Sequence, residues 1–287
     1  MAVVCAGEVL FDRWPDGTGF PGGAPANVAF HAAGLGAETF LISRTGDDPA
    51  GRRLREWLRG AGVDTAHCSA DPARPTGTVT VDPDAAGGPC YDIDGPAAWD
   101  FIAADAAALD LARRARVLVI GTLAQRHPVS RGAIRELAEV AGRGGARVLA
   151  DLNLRAPFHD EEILLWTLRH CGVLKLNRDE LAGISRLLGA AGDEKDLFSG
   201  LLREFAIPCG VLTAGADGAW IHEDGVLTHQ PAVAVEAVDP VGAGDAFCAA
   251  LAAGLDRGGT LRGAAPQAAR LAALVVSRRG ATPSPGA

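Results

Sequence analysis

The chain has 287 residues, 48% of them hydrophobic and 22% charged, enough apolar material for one large core. Its formal net charge of −8 argues against broad contact with nucleic acid or an acidic membrane, and leaves room for a local site that takes a small anion. No apolar run reaches membrane-spanning length. The six cysteines, at 5, 68, 90, 171, 209 and 248, form neither a CxxC pair nor a zinc-spaced cluster, so they read as buried or incidental thiols of a reducing compartment.

The N-terminal stretch MAVVCAGEVLFD is apolar but has no basic leader and runs directly into Glu8 and Asp12. It reads as a first strand over 2–11, not as a signal peptide, and the expected location is cytoplasmic. Further Val/Ile/Leu-rich runs at 39–44, 116–121, 147–152, 173–176 and 210–214 read as strands. Several are apolar at consecutive positions, as in strands covered on both faces. Between them, 50–60 carries Leu54, Trp57, Leu58 and Ala61 at helical spacing after Pro49. Similar patterns fill 129–142, 160–170, 178–188, 194–206, 243–256 and 260–279. This alternation predicts an α/β fold, a mostly parallel sheet with helices on both sides.

Residues 74–94, RPTGTVTVDPDAAGGPCYDID, break the alternation and read as a strand, a Gly/Pro turn and a second strand. This hairpin is either a lid over a site or a surface excursion. The tail ATPSPGA is expected to be irregular. With no repeat, linker or low-complexity tract to split it, 1–287 reads as one domain.

The stretch DPVGAGDAF, residues 239–247, sets Gly242, Ala243 and Gly244 between a proline turn and Asp245. The small residues let main-chain N–H groups approach a ligand closely. They open an alanine-rich helix, whose N-terminus attracts phosphate. A carboxylate there suits a base that accepts a proton from an attacking hydroxyl; the plainer reading is a turn with a favourable N-terminal aspartate. There is no GxxxxGK[ST] P-loop, and no GxGxxG after the first strand, which weakens a nicotinamide reading.

DPVGAGDAFCAALAAG resembles the C-terminal signature of the ribokinase-like sugar kinases, the PfkB carbohydrate kinase family. GGAPANVAFHAAGLG, residues 22–36, resembles that family's N-terminal signature. The similarity continues through LISRTGDDPAGRRLREWLRGAGVDT, DLNLR, KLNRDEL, LTAGADGA and VVSRRGATPS, in the family's order and over nearly the whole chain. The resemblance implies a ribokinase-like three-layer α/β/α fold with a central mostly parallel sheet and a small β lid, contributed mainly by about 74–94. It implies an ATP-dependent sugar kinase, with sugar and ATP as its small-molecule partners and a homodimer as its assembly.

It also implies roles for residues. Asp245 is the base, and the four amides of residues 242–245, those of Gly242, Ala243, Gly244 and Asp245 itself, stabilise the transferring phosphoryl group. Asp12 and Asn27 hold the sugar beside Gly22 and Gly23. Asp12 also reads as a turn residue, and Asn27 as a helix cap near Pro25. In DLNLR, the residues Asp151, Asn153 and Arg155 point to one side if the strand persists. Arg155 then meets substrate or phosphate, or forms a surface salt bridge. Asn177 and Glu180 are implied to organise Mg²⁺ and its waters, although the same spacing suits a capping box. Thr213, Gly215 and Gly218 are implied to approach the nucleotide, though such strings are usually turns. Asp239, with Val241, Val275, Arg278, Gly280 and Ser284, matches the family's monovalent-cation site, which implies K⁺. GEVLFD and GGAPANVA look most like the fructokinase branch, with fructose the first expected acceptor. Ribose, 2-keto-3-deoxygluconate or nucleoside kinases share the scaffold, and a non-catalytic sugar- or nucleotide-binding protein is the alternative of another class.

Overall fold

The computed structural model describes residues 2–13, 18–82, 90–158 and 160–283. In chain order the strands and helices begin with β1 (Val3–Ala6), β2 (Leu10–Arg13), β3 (Gly19–Gly22), α1 (Ala24–Gly34), β4 (Thr39–Gly46), α2 (Pro49–Gly60), β5 (Val63–Asp64), β6 (Cys68–Asp71), β7 (Gly77–Asp82) and β8 (Cys90–Ile93). There follow α3 (Ala106–Arg114), β9 (Val117–Ile120), α4 (Pro128–Arg143), β10 (Arg147–Asp151), α5 (Glu161–His170), β11 (Val173–Asn177), α6 (Arg178–Leu187) and α7 (Glu194–Glu204). The chain closes with β12 (Cys209–Thr213), β13 (Ala219–Glu223), β14 (Val226–Gln230), α8 (Ala243–Asp256) and α9 (Leu261–Val276).

The large sheet runs β14-β13-β12-β11-β10-β9-β1-β4-β5, with β6 also pairing with β4. It is parallel from β12 to β5, and β13 and β14 form an antiparallel hairpin at one edge. Strands β1 and β9 are apolar at every position because both faces of the sheet are covered. In β1, Val3 and Cys5 join the core formed with α1, α2, α8 and α9. Val4 and Ala6 join the opposite core, formed with α3 to α7. This is the expected three-layer α/β/α architecture. Cys5, Cys68, Cys171, Cys209 and Cys248 are buried free thiols. Among the described residues, no helix is long and apolar enough to cross a membrane.

A second, four-stranded sheet, β3-β2-β7-β8, forms the small lid. The 74–94 segment supplies two of its strands; its turn, 83–89, lies outside the described residues. The other two strands come from 10–22. The strand expected over 2–11 is therefore two strands: β1 ends in the large sheet at Ala6, and the chain crosses through Gly7 to Val9 into the lid at β2. Apolar residues on both sides of Gly7 and Glu8 make the two strands read as one. Leu10, Val79 and Ile93 pack with Trp99 and Leu123 into a small separate core beneath the lid.

Three further differences have physical causes. α1 and α3 are alanine-rich; α1 is apolar almost all round, so it shows little helical periodicity. The β13–β14 hairpin turns at Asp224 and Gly225, both at positive φ (54 and 73), a two-residue turn whose Asp-Gly signal stands in the sequence. The last helix stops at Val276 rather than 279, where the Val276 carbonyl accepts the N–H groups of Val238 and Asp239 from the segment before α8 (2.8 and 3.0 Å).

Asp48 joins the lid to the body. Its carboxylate accepts the Gly51 N–H at the start of α2 (2.7 Å), and the N–H and hydroxyl of Thr76 just before β7 (2.8 and 2.7 Å). Burial pushes its pKa up, but these bonds outweigh that and hold it below the ordinary value. Asp48→Ala is expected to destabilise the protein by about 2 kcal/mol, and Asp48→Asn by less. Since a lowered carboxyl pKa gives stability above the unfolded value, the urea-unfolding difference should be full at neutral pH. It should shrink as the pH falls through the lowered pKa.

Candidate active site

Most of the helices begin with a side-chain cap: Asp48, Asp105, His127, Asp160, Asn177, Asp193 and Thr260 accept first-turn N–H groups. Among the described residues, α1 and α8 are the two α-helices that begin instead with glycines, Gly23 and Gly242, and have no side-chain cap. Both N-termini face one cavity of about 240 Å³ under the lid.

At the α8 end, Gly242 is left-handed, with φ 79. A Cβ there would lie 2.5 Å from Ala281, so position 242 accepts only glycine. The Ala243 N–H donates to the Pro240 carbonyl over a long 3.3 Å. Among the described residues, the N–H groups of Gly242, Gly244 and Asp245 have no acceptor. Three of the four amides expected to face a phosphoryl group are thus available, and that of Ala243 is engaged. Asp239 braces this loop: its carboxylate accepts the N–H of Val241 (3.0 Å) and of Gly280 (2.9 Å).

At the α1 end, Asn27 is buried and donates its Nδ2–H to Asp245 Oδ2 at 2.8 Å. Asp12 lies on β2 in the cavity wall. A Cβ on Gly22 would come within 2.3 Å of its carboxylate, which explains a glycine there. Arg155 lines the cavity too, but DLNLR does not continue as a strand. β10 ends at Asp151, and Asn153 is left-handed, with φ 46. Asp151 turns instead to Lys175, whose Nζ donates to both carboxylate oxygens at 2.8 Å.

Two charged cavity residues escaped the sequence reading. Lys175 is buried, lines the cavity and lies under Gly244, where an added Cβ would sit 3.0 Å from Nζ. Its position in KLNRDEL was the available signal. Glu8 is also buried and lines the cavity. A glutamate at the end of an otherwise apolar first strand was the signal for it.

Burial crowds the carboxyls of this site. It pushes Asp245 up to about 6, with the Asp151 charge adding to it and Asn27, Lys175 and Arg155 opposing. It pushes both Glu8 and Asp12 up to about 7, Asp245 adding to each and Arg155 opposing. For Lys175, burial alone would lower the pKa, but Asp151 more than offsets it and the ammonium stays charged.

A second cavity, about 680 Å³, has mostly apolar walls that include Val233, Val235, Phe247 and Val276. Thr213, Gly215, Gly218 and Ala243 also line it, and Pro240 and Gly244 belong to both cavities. The glycine loop therefore stands between a polar cavity and an apolar slot.

Asn177 and Glu180 line neither cavity and form the capping box. The Glu180 N–H donates to Asn177 Oδ1 (2.9 Å), and Glu180 accepts the N–H groups of Asn177 and Leu154 (2.8 Å each). Each Glu180 oxygen already has a donor, which leaves outer contact through water as its route to a cation. For a monovalent cation, Asp239 and the main chain at Val241, Val275, Arg278 and Gly280 offer hard oxygen donors, which suits K⁺. The Val275 carbonyl, however, already accepts the Arg278 N–H at 3.0 Å. Ser284 lies outside the described residues.

The pfkB family carbohydrate kinase model matches residues 8–286. The chain belongs to this family. It is an ATP-dependent carbohydrate kinase, the class its two signatures imply. It is 34% identical over 268 residues to a fructokinase of Klebsiella pneumoniae, covering 87% of this chain and 82% of the relative. Fructokinase from Vibrio cholerae, solved with fructose, ADP and calcium, matches with TM-score 0.83 and 29% identity over 98% of this chain and 95% of that one. A double mutant of it was solved with fructose, ADP and potassium. Aminoimidazole riboside kinase from Salmonella enterica, solved with aminoimidazole riboside and an ATP analogue, matches with TM-score 0.85 and 26% identity over 98% and 95%.

The Lys175–Asp151 pair tests how this floor is held. Lys175→Met should destabilise the protein by about 3–5 kcal/mol, because it leaves Asp151 buried and uncompensated. Adding Asp151→Leu should recover most of that loss. Urea unfolding of the single and double variants checks it.

Proposed function

We propose that the protein transfers the γ-phosphoryl group of ATP to a hydroxyl of a neutral ketohexose, fructose first. The observation that carries this reading is the Asp245 carboxylate set beside unpaired amides, where a polar cavity meets an apolar slot. The small cavity takes the acceptor, and the lid keeps water from it. The apolar slot takes the adenine, and the glycine loop takes the phosphates between them.

Asn27 fixes Asp245 Oδ2, leaving Oδ1 to accept the proton of the attacking hydroxyl. The N–H groups of Gly242, Gly244 and Asp245 donate to oxygens of the transferring phosphoryl group, in place before the reaction begins. Lys175 adds positive charge beneath Gly244. Glu180 would hold Mg²⁺ through its waters, and that ion supplies charge neutralisation on the phosphates. Asp239 and neighbouring carbonyls would hold K⁺, which steadies the loop. The homodimer is part of the same proposal. Phe20, exposed on lid strand β3, is the surface a partner would cover, and particle mass in sedimentation checks it. A riboside acceptor is the second reading, favoured by the Salmonella neighbour's fold and ligand.

The test is ADP release from ATP and Mg²⁺, with and without K⁺, against fructose, ribose, 2-keto-3-deoxygluconate and nucleosides. Fructose-dependent turnover is expected; turnover only with a nucleoside replaces fructose by the second reading. Asp245→Asn should lower kcat by at least about 10²–10³ and leave the fold intact, since an amide oxygen still accepts from Asn27. The base must be ionised. With Asp245 raised to about 6 in the ligand-free protein, kcat/KM for the acceptor should fall as the pH drops below that value, and kcat, which reports the ligand-bound enzyme, should fall from a higher pH.

A further inference from the structure

Glu8 stands where the chain leaves the large sheet for the lid, between β1 and β2. It is 3% exposed and lines the smaller cavity. Its Oε1 accepts the Ala24 N–H at the uncapped start of α1, at 3.3 Å. Its Oε2 is buried and finds no donor among the described residues. Close by in the fold, Asn27 uses its amide N–H on Asp245, while its Oδ1 is likewise buried without a donor. Buried acceptors without donors are costly, and native structures rarely keep them without a use.

At Glu8 and Asn27 the shortage is of donors: both present unfilled acceptors, and Asp12 adds a carboxylate to the same cavity. The cavity's own donors, Lys175, Arg155 and the free amides of the glycine loop, serve the phosphate in the reading above. A second phosphate or a carboxylate would bring Glu8 Oε2 and Asn27 Oδ1 only more acceptors. A neutral polyol brings O–H donors.

We propose that Glu8 is a substrate-binding residue whose Oε2 accepts a hydroxyl of the acceptor sugar, and that it helps the cavity select polyols that carry this hydroxyl. The inference rests on the kinase reading above and adds a residue and a selection rule to it. Glu8 has two separable tasks. Oε1 positions α1, and Oε2 meets substrate. Glu8→Gln separates them, because its amide oxygen still accepts from Ala24 while its NH₂ puts a donor where the substrate needs an acceptor.

The experiment compares wild type, Glu8→Gln and Glu8→Ala at saturating ATP, with D-fructose or whichever panel acceptor turns over best. Thermal melts confirm that each variant is folded. The acceptor KM should rise at least about tenfold in Glu8→Gln, with the KM for ATP within about twofold of wild type. In wild type, one monodeoxy form of that acceptor should show a comparable rise, and in Glu8→Ala that deoxy form should show no further penalty. The proposal is overturned if Glu8→Gln keeps the wild-type acceptor KM, or if every deoxy penalty survives in Glu8→Ala. Either result leaves the kinase reading standing. Absence of turnover by wild type with every acceptor brings down that reading, and this inference with it.

Discussion

The hydrogen bond from Asn27 to Asp245 ties together the two ends of the chain, 218 residues apart in sequence. A carboxylate in the first turn of a helix gains from the dipole, but the same N–H groups also attract the phosphate the reaction needs. Two negative groups then compete for one positive end. The Asn27 amide, Lys175 and Arg155 offset that competition from three directions. The contact forms only when α1 and α8 are packed on the same face of the large sheet. Assembly of the fold and assembly of the site are therefore one event.

That packing explains the alanine-rich sequence of α8. From Ala246 to Leu255 every residue of the helix is buried. Small side chains let α1 and α9 approach closely, and a helix held on all sides gives Asp245 a fixed direction. The lid is held differently. It has a small core of its own and is pinned at its margin by Arg126, which donates to both Asp100 oxygens and to the Asp94 carbonyl. A dense platform with a thinly anchored cover is the distribution of stability that a closing site requires.

The parallel sheet was legible because strands covered on both faces must be apolar throughout, and the amphipathic helices between them keep a clear period. The glycine loop was legible because its function demands glycine. What escaped notice did so for physical reasons. The break between β1 and β2 is marked only by Gly7 and Glu8, with apolar residues on either side. α1 is buried almost all round and so lacks a polar stripe. Asp151 points to Lys175 rather than along a strand face with Arg155, because β10 stops one residue after Ala150; spacing cannot register a chain that ceases to be extended. Asn177 and Glu180 show a further limit, since a capping box and an outer-sphere cation site use the same residue types at the same spacing. Lys175 and Glu8 were single letters whose meaning depends on which neighbours fold against them.

The crowding of acids gives the proposed reaction an internal order. Without ligand, burial holds Glu8, Asp12 and Asp245 above the ordinary carboxyl range, with the Asp245 charge adding to the rise in Glu8 and Asp12 and the Asp151 charge adding to that in Asp245. A polyol whose hydroxyls donate to Glu8 and Asp12 favours their charged forms. Those charges raise Asp245 further and make it a stronger base, at the cost of leaving less of it ionised. The phosphate chain of the nucleotide acts in the same sense, while Lys175 and Arg155 act against it. In the proposed reaction the acceptor would thus do more than fill space: by supplying donors to Glu8 and Asp12 it would tune the basicity of Asp245.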